Sequence, residues 1–179
     1  MLRLFFALQP TSVQATDLLA RAAPLVTQLQ AQPVPPENLH ATLCFVGAVA
    51  PEKLDALKAA AAGVRCPVAG LCFDAFDYWD KPRILCATAP ERRDAAEALA
   101  RIITAAVVSA GFAPDQKPFR AHLTLARKIR AAEAVRIEWP RALAPPLDVR
   151  CDRFVLMQSR REESGSIYSV VEGWPLGAA

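Results

Sequence analysis

Two short stretches, "HATL" at residues 40–43 and "HLTL" at residues 122–125, share one pattern: histidine, any residue, threonine, leucine. His40 and His122 are the only histidines in the 179 residues. The chain has 7 threonines and 20 leucines, and with this composition both histidines would match the pattern by chance roughly 2 times in 100,000. We conclude that each site requires an imidazole and a hydroxyl in a fixed register.

Each motif lies in an apolar segment typical of a β-strand. Residues i and i+2 of a strand project to the same face, whereas on a helix they would diverge. His40 with Thr42, and His122 with Thr124, are therefore predicted to point out together, with the leucines facing a core. Two such strands facing each other would form a cleft with two imidazoles and two hydroxyls.

This set of groups suits acid–base chemistry on a phosphate ester. Imidazole titrates near neutrality, so one histidine can accept a proton from water while the other donates one to a departing oxygen. Threonine hydroxyls can donate hydrogen bonds to the non-bridging oxygens. The alternative is that each histidine is a structural residue, the commoner role of a histidine in an apolar strand. The identical context of both histidines favours catalysis.

The rest of the chain predicts alternating strands and helices. A helix capped by Ser12 is expected to run to about Gln32, and a second from Pro90 to Gly111, with a stripe of Ala95, Leu99, Ile102, Ile103, Ala106 and Val107. A further helix is expected at 51–63. Strands are predicted at 3–8, 39–47 (closed by Gly47), 68–79, 83–89, 121–127, 153–159 and 166–174, and a loop at 140–146. Because tight hairpins also occur, the class is α+β with mixed or antiparallel sheets. The order strand, helix, proline loop, HxTL strand occurs twice, which indicates two related lobes.

Composition narrows the remaining choices. The length fits one domain over residues 1–179, and 53% hydrophobic residues suffice for its core. No apolar run is long enough to span a membrane, and "MLRLFFALQP" is too short for a signal peptide, so we expect a cytoplasmic protein. We also expect it to be a monomer. The five cysteines are expected to be buried free thiols. The short-range His and Cys spacing of a zinc site is missing from the sequence, so neither a metal nor another cofactor is expected.

On these residues the chain resembles the two-histidine phosphoesterase superfamily, which is defined by paired HxT/S motifs. Within it the sequence is most similar to the RNA 2′,3′-cyclic phosphodiesterases, formerly named 2′-5′ RNA ligases. The segments that carry the resemblance are "RLFFAL", "PPENLHATLCFVG", "FRAHLTLAR" and "LMQSRREESGSIYSVVEGWPL". The resemblance implies a bilobal, pseudo-symmetric α+β fold with two sheets around a central cleft and helices outside. Each lobe would contribute one motif.

The resemblance also implies an activity and roles. The activity is metal-independent hydrolysis of an RNA-type 2′,3′-cyclic phosphate, at an RNA end or in a small cyclic nucleotide, to a 2′-phosphomonoester. His40 would be the acid that protonates the leaving 3′ oxygen and His122 the base that activates water. Thr42, Thr124 and Arg127 would bind the phosphate. Phe45 would lie near the base or ribose.

Phe45 and Arg127 each follow their histidine by five residues. Five is the wrong parity for the cleft face of a regular strand, so a bulge or a strand end is expected to re-aim them. Trp79 and Tyr168 could stack on a nucleobase or be core aromatics, and Glu37 could orient an imidazole or be solvated.

Two alternative functions remain open. The first is another reaction of the superfamily, either opening of a small cyclic phosphate or weak 2′-5′ joining of RNA. The second is non-catalytic binding of RNA ends. Binding alone has no need of two titratable groups, so the intact pair of motifs argues against it.

Overall fold

The computed structural model describes residues 1–91, 93–162 and 165–177. Its helices are α1 (Ser12–Gln28), α2 (Leu54–Ala62), α3 (Asp94–Ser109) and α4 (Ala131–Ala134). Its strands are β1 (Leu2–Leu8), β2 (Gln32–Pro33), β3 (Ala41–Val49), β4 (Ala69–Trp79), β5 (Ile84–Thr88), β6 (His122–Arg127), β7 (Arg141–Cys151), β8 (Arg153–Glu162) and β9 (Gly165–Pro175). Single 3-10 turns form at Pro36–Asn38 and Pro51–Lys53.

The strands form two antiparallel sheets, which confirms the α+β class. The first sheet has the order β3-β1-β8-β9 and the second β2-β6-β5-β4-β7. In each sheet the strand of an HxTL motif pairs antiparallel with the strand that precedes its helix, β3 with β1 and β6 with β5. The repeated order seen in the sequence is therefore a repeated structural unit. The two motif strands approach each other although they belong to different sheets.

The helices connect the two halves of the chain. Helix α1 contacts β6 and β7 of the second sheet, and α3 contacts both β3 and β4. Most buried apolar side chains form one core cluster between these elements. A second, smaller cluster of Phe5, Ala7, Val155 and Met157 lies on the other face of the first sheet, with Phe45 and Tyr168 packed against it. This second cluster lies beneath the HxTL motif at residues 40–43, where the Phe5 ring contacts that of His40.

Four predicted boundaries are wrong. The cap of α1 is Thr11 rather than Ser12, because the Thr11 side chain and Gln14 form a reciprocal capping box. The helix ends at Gln28, since β2 instead pairs with the end of β6. Strand β3 continues past Gly47, which pairs with Leu4 at a φ of 89°. Helix α3 begins four residues after Pro90 and ends two before Gly111.

Residues 140–146, predicted to be a loop, belong mostly to β7. β7 is an edge strand, and Pro145 and Pro146 lie where its register with β4 shifts between Phe73 and Ala75. Proline cannot donate a ladder hydrogen bond, but an edge strand and a bulge both tolerate it. Helix α3 also buries a face slightly different from the predicted stripe. Ile102 is 39% exposed, and the buried residues are Ala96, Leu99, Ala100, Ile103 and Val107.

All five cysteines are buried and none forms a disulfide, as predicted. Burial raises the pKa of the Cys86 thiol to about 12 and that of Cys151 to about 11. Thiols with such pKa values are protonated at neutral pH. Among the described helices, none is both long and apolar enough to cross a membrane.

Candidate active site

Both motifs show the predicted alternation of exposure. Ala41, Leu43, Leu123 and Leu125 are at most 6% exposed, whereas the histidines and threonines are half-buried. Period-2 side-chain geometry produces this pattern wherever one face of a strand packs on a core. Each motif thus presents one imidazole and one hydroxyl away from the core.

The two imidazoles are held by the same contact. His40 Nδ1 lies 2.7 Å from the carbonyl oxygen of Asn38, and His122 Nδ1 lies 2.7 Å from that of Arg120. A carbonyl oxygen can only accept, so each Nδ1 carries a hydrogen and donates it. The neutral form of each ring therefore has its lone pair on Nε2, and Nε2 is the atom that is available to accept or donate a proton.

The remaining polar atoms of the motifs are available to a ligand. Within the described part of the chain, neither the Nε2 atoms nor the hydroxyls of Thr42 and Thr124 have a hydrogen-bond partner. By contrast, the Thr104 hydroxyl donates to Ala100 O at 2.8 Å. The motif threonines are thus free to donate to a bound anion.

The surroundings of the two histidines differ. The His40 ring lies 4.8 Å, between centroids, from both Phe5 and Tyr168. The His122 ring lies 4.5 Å from that of Trp79, and the Arg120 guanidinium lies 4.1 Å above the Trp79 ring. Trp79 and Tyr168, which the sequence left as either base-stacking or core residues, are half-buried and each packs on one motif histidine.

These environments lower the pKa of both histidines. Burial against aromatic rings disfavours the charged form and lowers the pKa of His40 to about 4, and the nearby charges of Arg127 and His122 add to this effect. The carbonyl of Asn38 acts in the opposite direction. Burial likewise lowers the pKa of His122, aided by Arg120 and Arg127. Thr42 of the first motif and His122 of the second line the same cavity, so the two motifs face one space.

Phe45 and Arg127 are re-aimed by bulges, as the parity argument predicted. In the pairing of β1 with β3, consecutive residues Phe6 and Ala7 pair with Cys44 and Thr42, so Leu43 is left out. In the pairing of β5 with β6, Leu125 is left out in the same way. Both Phe45 and Arg127 are half-buried, like the motif threonines, and follow a pair of consecutive buried residues.

The side chains of Phe45 and Arg127 have different surroundings. The Phe45 ring packs on the small cluster beneath His40 and carries the Arg3 guanidinium 4.7 Å from its centroid. Arg127 affects the pKa of both histidines and has no ion-pair partner within the described residues. A guanidinium with free donors beside two imidazoles can bind phosphate oxygens.

Asn38, and not the candidate Glu37, orients the His40 ring. Glu37 is exposed on its 3-10 turn, and the carbonyl of Asn38 rather than Glu37 holds Nδ1. The Asn38 side chain donates to Ser166 O at 3.3 Å, which ties this anchor to β9. Sequence reasoning missed both carbonyl anchors because every residue has a carbonyl. The only feature of the sequence that Asn38 and Arg120 share in this respect is their position two residues before a motif histidine.

The described residues include no group of three or more His, Cys, Asp or Glu side chains that could hold a metal ion. The polar groups of the two motif segments at the site include two imidazoles, two hydroxyls and the Arg127 guanidinium.

Comparison with known proteins identifies relatives over most of the chain. Residues 10–163 match the 2′-5′ RNA ligase superfamily. The RNA 2′,3′-cyclic phosphodiesterase of Escherichia coli K12 is 32% identical over 139 residues, 77% of each chain. A protein of the same name from Geobacillus stearothermophilus is 30% identical over 147 residues, 78% of this chain and 46% of that longer protein. The crystal structure of E. coli LigT complexed with 3′-AMP superposes with a TM-score of 0.86 at 25% identity, covering 99% of both chains.

Proposed function

This chain belongs to the 2′-5′ RNA ligase superfamily, and we propose that it hydrolyses RNA-type 2′,3′-cyclic phosphates to 2′-phosphomonoesters without a metal. The observation that carries the proposal is the pair of imidazoles, each anchored through Nδ1 at 2.7 Å, with no partner for Nε2 among the residues that the structure describes. Two nitrogens that can transfer protons, one directly before β3 and one on β6 of the other sheet, suit a reaction that needs a base for the nucleophile and an acid for the leaving group. The names of the two curated relatives support the reaction class.

In the proposed reaction His122 Nε2 takes a proton from water as the water oxygen attacks phosphorus. The bond between phosphorus and the 3′ oxygen breaks, and His40 Nε2 gives its proton to that oxygen. Thr42, Thr124 and Arg127 bind the non-bridging oxygens, whose charge grows in the transition state. The product keeps its phosphate on the 2′ oxygen, and the two histidines end with protonation states exchanged.

The lowered pKa of His40 bears on its role as the acid. With a pKa of about 4, His40 is neutral at pH 7 in the free protein. A bound phosphodiester carries a negative charge, which favours the imidazolium and raises the pKa of both rings. Binding of the substrate and protonation of one histidine are therefore coupled, so that the protein takes up a proton when the phosphodiester anion binds.

Phosphorus NMR of a short RNA with a 2′,3′-cyclic phosphate end tests the proposal. We expect the cyclic phosphate resonance to be replaced by that of a 2′-phosphomonoester. Tight binding with the cyclic resonance unchanged would favour an RNA-end binder. A 3′-phosphomonoester product would contradict the assigned leaving group.

A further inference from the structure

A cavity of about 900 Å³ opens beside His122 and lies between β3, α3 and the loop that leads into β6. Thr42 and His122 both line it, so it is continuous with the proposed reaction centre. Pockets for drug-sized ligands usually span about 300–1,000 Å³. The cavity is therefore near the upper limit and larger than one nucleoside requires.

The cavity carries more positive charge than a cyclic phosphate needs. Four of its lining residues are cations: Lys81, Arg101, Lys117 and Arg120. Its one described acidic residue, Asp115, is already bound to Lys117, with Nζ 2.8 Å from the carboxylate. A cyclic phosphodiester has a single negative charge, and Arg127 already lies beside the two histidines that would receive it. The other cations point to a second anionic group in the ligand.

The walls of the cavity are apolar and accessible. Phe119 and Val108 line it, and Val108 is 49% exposed although it is a large apolar residue on α3. Arg120 is stacked on Trp79 and has no carboxylate partner among the described residues, as is also true of Arg101. Flat apolar and guanidinium surfaces are the groups on which an unstacked nucleobase packs.

We propose that this cavity binds the 5′-phosphate of the terminal nucleotide together with the nucleoside that precedes it in an RNA strand. The inference rests on the proposed function, since it takes the cyclic phosphate to lie between the two motifs. It adds that the protein selects polynucleotide ends over cyclic mononucleotides. A ligand of this kind supplies the second negative charge for the cations and a base for the apolar walls.

Three matched substrates test the inference: adenosine 2′,3′-cyclic phosphate, the same nucleotide with a 5′-phosphate, and the dinucleotide ApA with a 2′,3′-cyclic phosphate. We expect kcat/KM to rise along the series and to differ at least about tenfold between the first and the last, the scale of one charge-assisted contact. Equal values for the three substrates would overturn the inference.

Two variants test whether the higher kcat/KM of the dinucleotide depends on the cavity. Arg101→Ala removes an exposed cation, and Ala105→Trp fills the space from an exposed position on α3. Each is expected to reduce the advantage of the dinucleotide to threefold or less while hydrolysis of the cyclic mononucleotide stays at the wild-type rate. Retention of the full advantage in both variants would overturn the assignment.

Matched controls are Arg136→Ala and Val135→Trp. Arg136 is exposed and paired with Glu133, Val135 is 79% exposed, and neither lines the cavity. Both controls are expected to keep the wild-type preference.

Calorimetry with the reaction products separates failure of the inference from failure of the proposed function. Adenosine 2′-phosphate and the dinucleotide ApA with a terminal 2′-phosphate are titrated into wild type and Arg101→Ala. We expect tighter binding of the dinucleotide in wild type only, and this readout needs no turnover. If no cyclic substrate is hydrolysed but this difference is seen, the proposed activity is wrong and the subsite stands. Equal affinities in wild type overturn the subsite whatever the activity.

Discussion

Leu43 and Leu125, the last residues of the two HxTL motifs, are the residues that β-bulges leave out of strand pairing. A bulge adds one residue to a strand and so changes which face the following side chains occupy. Without the two bulges, Phe45 and Arg127 would point into the core. The leucine of each motif is thus a core residue, and the bulge at that leucine turns the residue two positions later, Phe45 or Arg127, toward the cleft.

We predict that His40→Ala and His122→Ala each lower turnover of a 2′,3′-cyclic nucleotide at least about 100-fold, the usual scale of one acid–base contribution. Folding should be retained, because both imidazoles are only half-buried. Steady-state kinetics together with circular dichroism provides the check. Near-wild-type turnover in either variant would refute the paired mechanism.

We predict that a 4-nitrophenyl nucleoside phosphodiester distinguishes the two histidines. Nitrophenolate leaves without protonation, so the acid is dispensable for this substrate but the base is not. His40→Ala should lose much less activity with the aryl ester than with the cyclic phosphate, and His122→Ala should lose it with both. The reverse pattern would exchange the assigned roles.

We predict that Arg127→Ala raises KM and lowers kcat, and that Arg127→Lys restores only part of the loss. A guanidinium can hold two phosphate oxygens at once, whereas an ammonium is a point charge. The matched control is Lys128→Ala at the exposed neighbouring position, for which kinetics close to wild type are expected. Unchanged kinetics in Arg127→Ala would make Arg127 a solvated surface residue.

We predict a bell-shaped pH dependence of kcat/KM with its maximum on the acid side of pH 6.5. The reaction needs one neutral and one protonated histidine, and in the free protein both pKa values are lowered, that of His40 to about 4. The active form is the singly protonated pair, so the profile should rise near pH 4 and fall again below 6.5 as that proton is lost. The two apparent values belong to the coupled pair, and the bound anion places the proton on His40 for the reaction.

Tyr168→Ser tests the physical cause of that profile. Removing the ring that lies 4.8 Å from His40 admits water and should move the lower limb upward. Ile167→Ser, at an exposed neighbouring position, is the control and should leave both limbs in place. A flat profile between about pH 5 and pH 9, where free imidazole changes charge, would contradict acid–base catalysis by these residues.

We predict that activity survives EDTA unchanged. The proposed steps require only imidazoles anchored through Nδ1, threonine hydroxyls and a guanidinium, all supplied by the chain itself. Turnover measured before and after chelation, with Mg²⁺ or Mn²⁺ added back, gives the answer. Loss of activity on chelation and its recovery with a divalent ion would favour a metallophosphoesterase.

The sequence predicted the parts of the site that depend on local geometry. Alternation along a strand has a period of two whatever the fold, so the pairing of His40 with Thr42 and of His122 with Thr124 could be deduced directly. The same rule showed that Phe45 and Arg127 needed a bulge, but the position of the bulge depends on the partner strand. The pairing of β3 with β1 and of β6 with β5 determines where each bulge lies.

Other features follow from contacts between distant segments, which local patterns do not encode. Residues 140–146 look like a loop because proline disfavours most strands, and only the edge position of β7 makes the strand possible. The carbonyl that holds His40 is local, but the side chain of Asn38 donates to Ser166 O of β9, a residue that is distant in sequence. The contrast between the aromatic surroundings of His40 and the Trp79–Arg120 stack at His122 also arises from different elements meeting.

The sequence by itself therefore determined which imidazole and hydroxyl groups share a face of each motif, because side-chain parity is a property of the local backbone. The tertiary structure decided how the two motifs differ and what surrounds them. Burial and pKa depend on neighbours that are far away in sequence, such as Phe5 and Tyr168 beside His40. The cavity beside His122 likewise exists only because α3 and the loop before β6 meet the edge of β3.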